Sequence, residues 1–219
     1  MCIRDRLSSS CLRSVYAYPY LLSQQRPNTS LTFVACSGAT TTDVLNTQIA
    51  SVTASTNIVT ISIGGNDLGF ASLISNCVLA DCNTALNNTR ASASATLSPR
   101  LDAVYAAIKS HMAAGGKVVV LGYPHLFSTA SCLGTTGITA TERSNANLLS
   151  DEIDRVSSQH AIAAGFTYQS AIASFTGHAV CSSSAWLNGL NIFNTTESFH
   201  PTRSGQSSGY LALVRQVVG

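Results

Sequence analysis

An α/β chain, folded as a three-layer α/β/α sandwich on a mostly parallel sheet, is predicted by three observations. Short runs of apolar, β-branched residues alternate along the sequence with longer helical patterns, the arrangement that builds a sheet with helices on both faces. The runs Ile58–Ile63 and Lys117–Leu121 are nearly all apolar rather than alternating, as in strands covered on both sides. Small-residue turns follow these runs, Gly64-Gly65 after the first and Gly122 after the second, and the carboxyl ends of parallel strands are where such folds place their ligands.

Taken in order, Leu31–Cys36 (LTFVAC) reads as a short buried strand ending at Ser37-Gly38-Ala39. Ile58–Ile63 is the second strand. Ser98-Pro99 looks like a helix start, an N-cap followed by proline at the first position. Leu101, Val104, Tyr105 and Ile108 then repeat at helical spacing, and Gly115-Gly116 ends the helix. Lys117–Leu121 is the third strand. A long helix is expected over 141–164, with Thr139 or Thr141 as N-cap and Gly165 as the stop. Phe166–Tyr168 is a short fourth strand. A terminal helix over 202–218 turns Tyr210, Leu211, Val214 and Val217 inward. Segments 69–97 and 122–140 read as long loops that could wall a substrate pocket. There is no repeat, low-complexity linker or second domain, and 219 residues are enough for one proper core.

Composition narrows the class. Charged residues are only 10% of the chain against 45% apolar ones, with 15 glycines, a balance that suits a secreted enzyme. The net charge of +2 comes without a basic run, so neither nucleic acid nor an anionic membrane surface is indicated. No apolar stretch approaches the roughly 18 to 20 residues of a membrane helix.

The seven cysteines form no Cys-x-x-Cys pair, and no histidine pair has zinc spacing, so no metal is expected. Disulfides in an oxidising compartment are the better reading, with buried free thiols as the alternative. Cys77 and Cys82 make a natural local bridge across a polar turn. Cys11, Cys36, Cys132 and Cys181 allow several pairings, and Cys2 is odd. Met1–Arg6 (MCIRDR) has no apolar core and is no signal peptide. Residues 1–10 are read as a non-native or truncated leader and 11–219 as one domain.

Chemistry concentrates at the strand ends. Acyl transfer needs donors aimed at a developing oxyanion. A backbone N–H serves where glycine lets the chain approach closely, which favours Gly38. A side-chain amide after a glycine turn serves as well, which favours Asn66 in Gly64-Gly65-Asn66-Asp67. Near the C-terminus stands Ser198-Phe199-His200-Pro201-Thr202. His200 is the candidate general base, because imidazole titrates near neutrality, and Pro201-Thr202 caps the last helix so that His200 enters it rigidly. His111, His125, His160 and His178 have no comparable setting and are read as structural or surface residues.

A strand running into GGND, with FHPT near the C-terminus, resembles the SGNH (GDSL-type) esterase and lipase family, most closely its secreted actinobacterial branch. The resemblance covers 11–219. Cys11–Ser14 leading to Ala17–Tyr20 is similar to the segment after that family's nucleophile block, Cys36–Ala39 to its second block, GGND to its third, Cys181–Leu187 to its pocket wall and FHPT to its fifth. It implies an SGNH-hydrolase, flavodoxin-like fold and a serine ester hydrolase working through an acyl-enzyme without cofactor or metal. His200 would be the base, and Gly38 and Asn66 would form the oxyanion hole. The family's orienting acid three residues before the histidine falls on Glu197 here, acting through its carboxylate or its backbone carbonyl. The three family bridges carry over to Cys11–Cys36, Cys77–Cys82 and Cys132–Cys181. The expected substrate is a small-molecule or lipid ester, and the expected protein is a secreted monomer with no nucleic-acid or integral membrane partner. Phe70, Leu73, Ile74, Val78 and Leu79 favour acyl chains. A carbohydrate (acetyl) esterase, or a pocket protein without catalysis, is the alternative.

One departure stands out. The family needs a Gly-Asp-Ser nucleophile upstream, and no Gly-Asp-Ser occurs in this sequence. Ser8, Ser9 and Ser10 follow neither a strand nor a glycine turn and are not promoted to nucleophile. The expectation is that the natural gene continues upstream with a signal peptide, a strand inside the sheet and Gly-Asp-Ser, and that the chain as it stands is inactive.

Overall fold

A computed structural model of the protein describes residues 6–8, 10–191 and 197–219. Cys2, Ser9 and most of the short leader lie outside the described residues. The elements are β1 (Arg6–Ser8), β2 (Arg13–Ser14), α1 (Tyr18–Gln24), α2 (Thr41–Asp43), β3 (Ile58–Ile61), α3 (Phe70–Cys77), α4 (Asn83–His111), β4 (Lys117–Leu121), α5 (Ala140–Ala163), β5 (Thr167–Gln169), α6 (Ala171–Ser174) and α7 (Leu211–Val218).

The central sheet is parallel in the order β3-β4-β5, with Ile58 opposite Lys117 and Val119 opposite Thr167. Parallel strands need crossover helices. Helices α4 and α5 pack against each other on one face, while α7 packs on β4 and β5 from the other and carries α1 beside it. The three-layer α/β/α reading therefore holds. β4 is the centre of the core: Val118, Val119, Val120 and Leu121 are all buried. The terminal helix begins with a π-helical stretch, Gly205–Tyr210, and turns Tyr210, Leu211 and Val214 inward. Thr202 caps it, accepting the Gly205 N–H at 3.2 Å.

Helix α5 shows why its boundaries were readable. Thr139 is the N-cap, and Thr139 and Glu142 cap each other's backbone N–H at 2.8 and 3.3 Å. Gly165 follows the helix at φ 82°, the left-handed conformation that favours glycine. The three bridges implied by the resemblance are present: Cys11–Cys36, Cys77–Cys82 and Cys132–Cys181.

Four expectations are corrected. Leu31–Cys36 joins no ladder among the described residues. Segment 69–97 is no loop: it holds α3 and the first half of α4. Ser98-Pro99 starts nothing, because Pro99 sits inside the 29-residue α4. The helix runs through it because Leu86, Ala93 and Leu97 before the proline and Leu101 after it are all buried, and that packing outweighs the backbone bond a mid-helix proline removes. Ser8 does lie on a short strand, in an antiparallel pair with Arg13–Ser14 separate from the main sheet.

Candidate active site

The turn after β3 is built around two glycines with different duties. Gly64 adopts φ 109°, a conformation costly for any other residue. At Gly65 a side chain would stand 3.1 Å from the Tyr123 ring, whose hydroxyl accepts the Gly65 N–H at 3.3 Å. The turn then places Asn66 on the surface, with its Nδ2 donating to the Ala39 carbonyl at 3.0 Å. Gly38, at φ 80°, precedes that carbonyl by one residue. The two residues expected to hold an oxyanion are thus joined by one hydrogen bond between their loops.

Asp67 makes the same junction from below. Its side chain is 0% exposed. It accepts the Thr41 N–H at 3.0 Å, the Thr41 hydroxyl at 2.5 Å and the Arg100 guanidinium at 2.9 Å. Neither Thr41 nor Arg100 stood out in the sequence. Asp67 was visible in GGND, but its partners lie on α2 and in the middle of α4. Tyr123 was missed as well, although it directly follows Gly122 at the end of β4. Burial pushes its phenol above the ordinary value, opposed by its bonds to Gly65 and Ser62.

His200 is held from the other side of the strand ends. Phe199 sits at φ 63°, and its ring packs edge-on against Phe127 at 5.6 Å. The chain around His200 pairs with 186–188: Phe199 N–H to the Asn188 carbonyl at 3.0 Å, Asn188 N–H to the His200 carbonyl at 2.9 Å, and Thr202 N–H to the Trp186 carbonyl at 2.7 Å. The Glu197 carbonyl accepts the His200 N–H at 3.2 Å. His200 is exposed as a residue, yet burial of its ring among protein atoms lowers its pKa from the ordinary value. The Glu197 carboxylate pulls the opposite way. Among the described residues no hydrogen bond joins the His200 ring to Asn66 or Gly38.

Other expectations sort themselves by contact. His125 meets Asp151 at 2.7 Å, His160 meets Asp102 at 2.6 Å, His111 caps its own helix through Ala107, and His178 stacks on Trp186 at 3.7 Å. Leu73 and Ile74 are core residues of α3 rather than pocket wall, whereas Leu79 is 85% exposed. Cys77, Cys82 and Glu142 lie close enough to hold a metal. The two sulfurs are joined to each other, and Glu142 accepts the Cys82 N–H at 2.9 Å, so this group serves as a structural clasp. Among the described residues no helix is long and apolar enough to cross a membrane.

The family model described as GDSL-like Lipase/Acylhydrolase matches residues 4–207. Lipase 1 of Streptomyces coelicolor is 43% identical over 212 residues, covering 94% of this chain and 77% of that protein. A lipase of Streptomyces rimosus is 39% identical over 214 residues, covering 96% and 78%. Among solved structures, the extracellular lipase of Streptomyces rimosus superposes with a TM-score of 0.89 at 38% identity. Phospholipase A1 of Streptomyces albidoflavus does so with 0.90 at 39%. Each alignment covers 95% of this chain and 89% of that one.

Proposed function

The chain belongs to the GDSL-like lipase/acylhydrolase family and is by that membership a carboxylic-ester hydrolase; on this premise we propose that it cleaves lipid esters outside the cell, with His200 as base and Gly38 and Asn66 as oxyanion donors. The observation that supports the reading is the Asn66–Ala39 bond, which ties the turn after β3 to the loop that holds Gly38.

The reaction divides among these groups as follows. A serine hydroxyl attacks the ester carbonyl while His200 accepts its proton. The carbonyl oxygen becomes an anion that the Gly38 N–H and the Asn66 amide stabilise. His200 then returns the proton to the leaving alcohol, and water repeats the sequence on the acyl-enzyme. Glu197 raises the basicity of His200 through its charge and fixes the loop through its carbonyl. No Gly-Asp-Ser occurs among the 219 residues, and without such a serine this scheme gives no hydrolysis. We take 11–219 as the hydrolase domain, and the three disulfides support secretion.

The test is a p-nitrophenyl ester series from acetyl to dodecanoyl, with a phosphatidylcholine dispersion beside it. It is run on the chain and on the chain preceded by a strand ending in Gly-Asp-Ser. Hydrolysis by the extended protein, rising with acyl length and abolished by His200→Ala, is expected. Cleavage of acetyl esters alone would turn the assignment towards carbohydrate esterases. Full activity of the shorter chain would refute the role given to Gly-Asp-Ser.

A further inference from the structure

Leu133 is 90% exposed and Leu79 85%, the two most exposed large apolar side chains among the described residues. A lone exposed leucine is ordinary. These two differ in what holds them. Leu79 stands in the turn between α3 and α4, which Cys77–Cys82 closes. Leu133 opens a 3₁₀ turn, Leu133–Thr135, that Cys132–Cys181 anchors. Both turns rest on the first residues of α5. Glu142 accepts the Cys82 N–H at 2.9 Å. The buried Arg143 donates to the Ile138 carbonyl at 2.9 Å and to the Ser131 hydroxyl at 3.1 Å. The turns also meet each other, because Gly137 lies so close to the Val78 carbonyl that a side chain there would collide with it. Residues 68–80, 126–141 and 179–191 contain no Asp, Glu, Lys, Arg or His. The patch is continuous with the candidate site: the Leu190 N–H donates to the Gly134 carbonyl at 2.9 Å, and the Asn188 N–H to the His200 carbonyl at 2.9 Å.

We propose that Leu79 and Leu133 are the docking points for a lipid surface with zwitterionic headgroups, into which both side chains insert, seating the His200 loop at the layer that holds the ester. The inference rests on the lipid-ester reading of that site. A protein partner fits the patch less well. A stable protein interface buries about 800 Å² on each side, far more than two leucine tips supply. An acyl layer rewards each apolar side chain separately, in proportion to the surface it takes from water. The lack of charge around both turns fits a surface of no net charge and leaves no basic cluster to seek an anionic one. Bracing adds to the effect. Turns already fixed by disulfides, Glu142 and Arg143 have little freedom left to lose on docking.

The 219-residue chain itself serves for the test, since docking needs no nucleophile. It is floated with vesicles of ether-linked phosphatidylcholine. Flotation unchanged by molar salt is expected. Leu79→Ser and Leu133→Ser should each weaken the partition about tenfold, and together about a hundredfold, with the melting temperature unmoved. Ile162→Ser is the control. Ile162 is 65% exposed near the far end of α5, about 30 Å from Glu142 at ~1.5 Å per residue, and its replacement should leave flotation unchanged. Absence of flotation, or equal weakening by Ile162→Ser, would overturn the proposal. So would flotation with phosphatidylglycerol vesicles alone that salt abolishes, or a dimer in solution that the leucine substitutions dissolve while no vesicle is bound. A Gly-Asp-Ser-extended protein that cleaves dissolved short esters yet does not float defeats the docking surface alone. One that floats and cleaves nothing defeats the ester-hydrolase assignment alone.

Discussion

The buried carboxylate of Asp67 takes both polar groups of Thr41, the backbone N–H at 3.0 Å and the hydroxyl at 2.5 Å. One side chain thereby locks the loop that follows Gly38 to the turn that carries Asn66, and Arg100 joins from α4 at 2.9 Å. Removing the carboxylate leaves buried donors unsatisfied. Asp67→Ala is expected to cost about 3 kcal/mol. Asp67→Asn, which keeps the volume and one acceptor, should cost about half as much. Arg100 is 47% exposed, so Arg100→Met should cost no more than about 1 kcal/mol. Urea unfolding of the three variants checks the order; an Arg100 effect equal to that of Asp67→Ala would show that the ion pair, not Thr41, is the clamp.

His200 loses solvation in its loop, which lowers its pKa, and Glu197 partly restores it. A base works only when neutral, so its competence is lost as pH falls through the lowered pKa. The window of function therefore extends below the ordinary imidazole value of about 6.5. Glu197→Gln removes the restoring charge, and the midpoint should fall further. An NMR titration of the His200 ring in both proteins measures this without substrate. A midpoint unmoved by the substitution would assign the orienting role to the Glu197 backbone carbonyl.

The three disulfides should contribute unequally. Cys132–Cys181 closes a separation of 49 residues and Cys77–Cys82 one of 5. Loop-closure entropy gives about 4 kcal/mol for the former and about 2 for the latter. Paired Cys→Ser variants compared by thermal unfolding test the order. Cys181 also begins the stretch that reaches Trp186–Asn188, the pairing partner of the His200 loop. Its loss should therefore reduce hydrolysis by the Gly-Asp-Ser-extended protein more than loss of Cys77–Cys82.

Pro99 is exposed and lies within α4, where it withholds an N–H from the carbonyl four residues back. Pro99→Ala restores that donor at a position with little packing to disturb. The expected result is a gain of about 1 kcal/mol in stability, read as a higher melting temperature. A loss would mean that the bend at Pro99 is needed to seat Leu97 and Leu101.

Much of the site was legible because its chemistry is local. Gly64 and Gly65 permit a turn, Asn66 follows within it, and Pro201-Thr202 starts a helix beside His200. What could not be read was the partner of each group. Asp67 depends on Thr41 and Arg100, distant on both sides in the chain. Tyr123 meets Gly65 only because β3 and β4 are neighbours. The helical stretch before Pro99 escaped notice because its buried positions include Ala93 among Asn, Ser and Thr, a stripe too weak to show periodicity.

The sequence by itself determined the layered architecture, the helix cap at Thr202 and the residue types of the candidate site, and it narrowed the cap of α5 to Thr139 or Thr141. Each follows from turn chemistry, capping or the run of apolar residues within one segment. Only the tertiary structure decided that, among the described residues, Leu31–Cys36 stands apart from the ladder and β3 pairs on one side alone. A strand is defined by the backbone it pairs with, and an apolar run cannot carry that information about its neighbours.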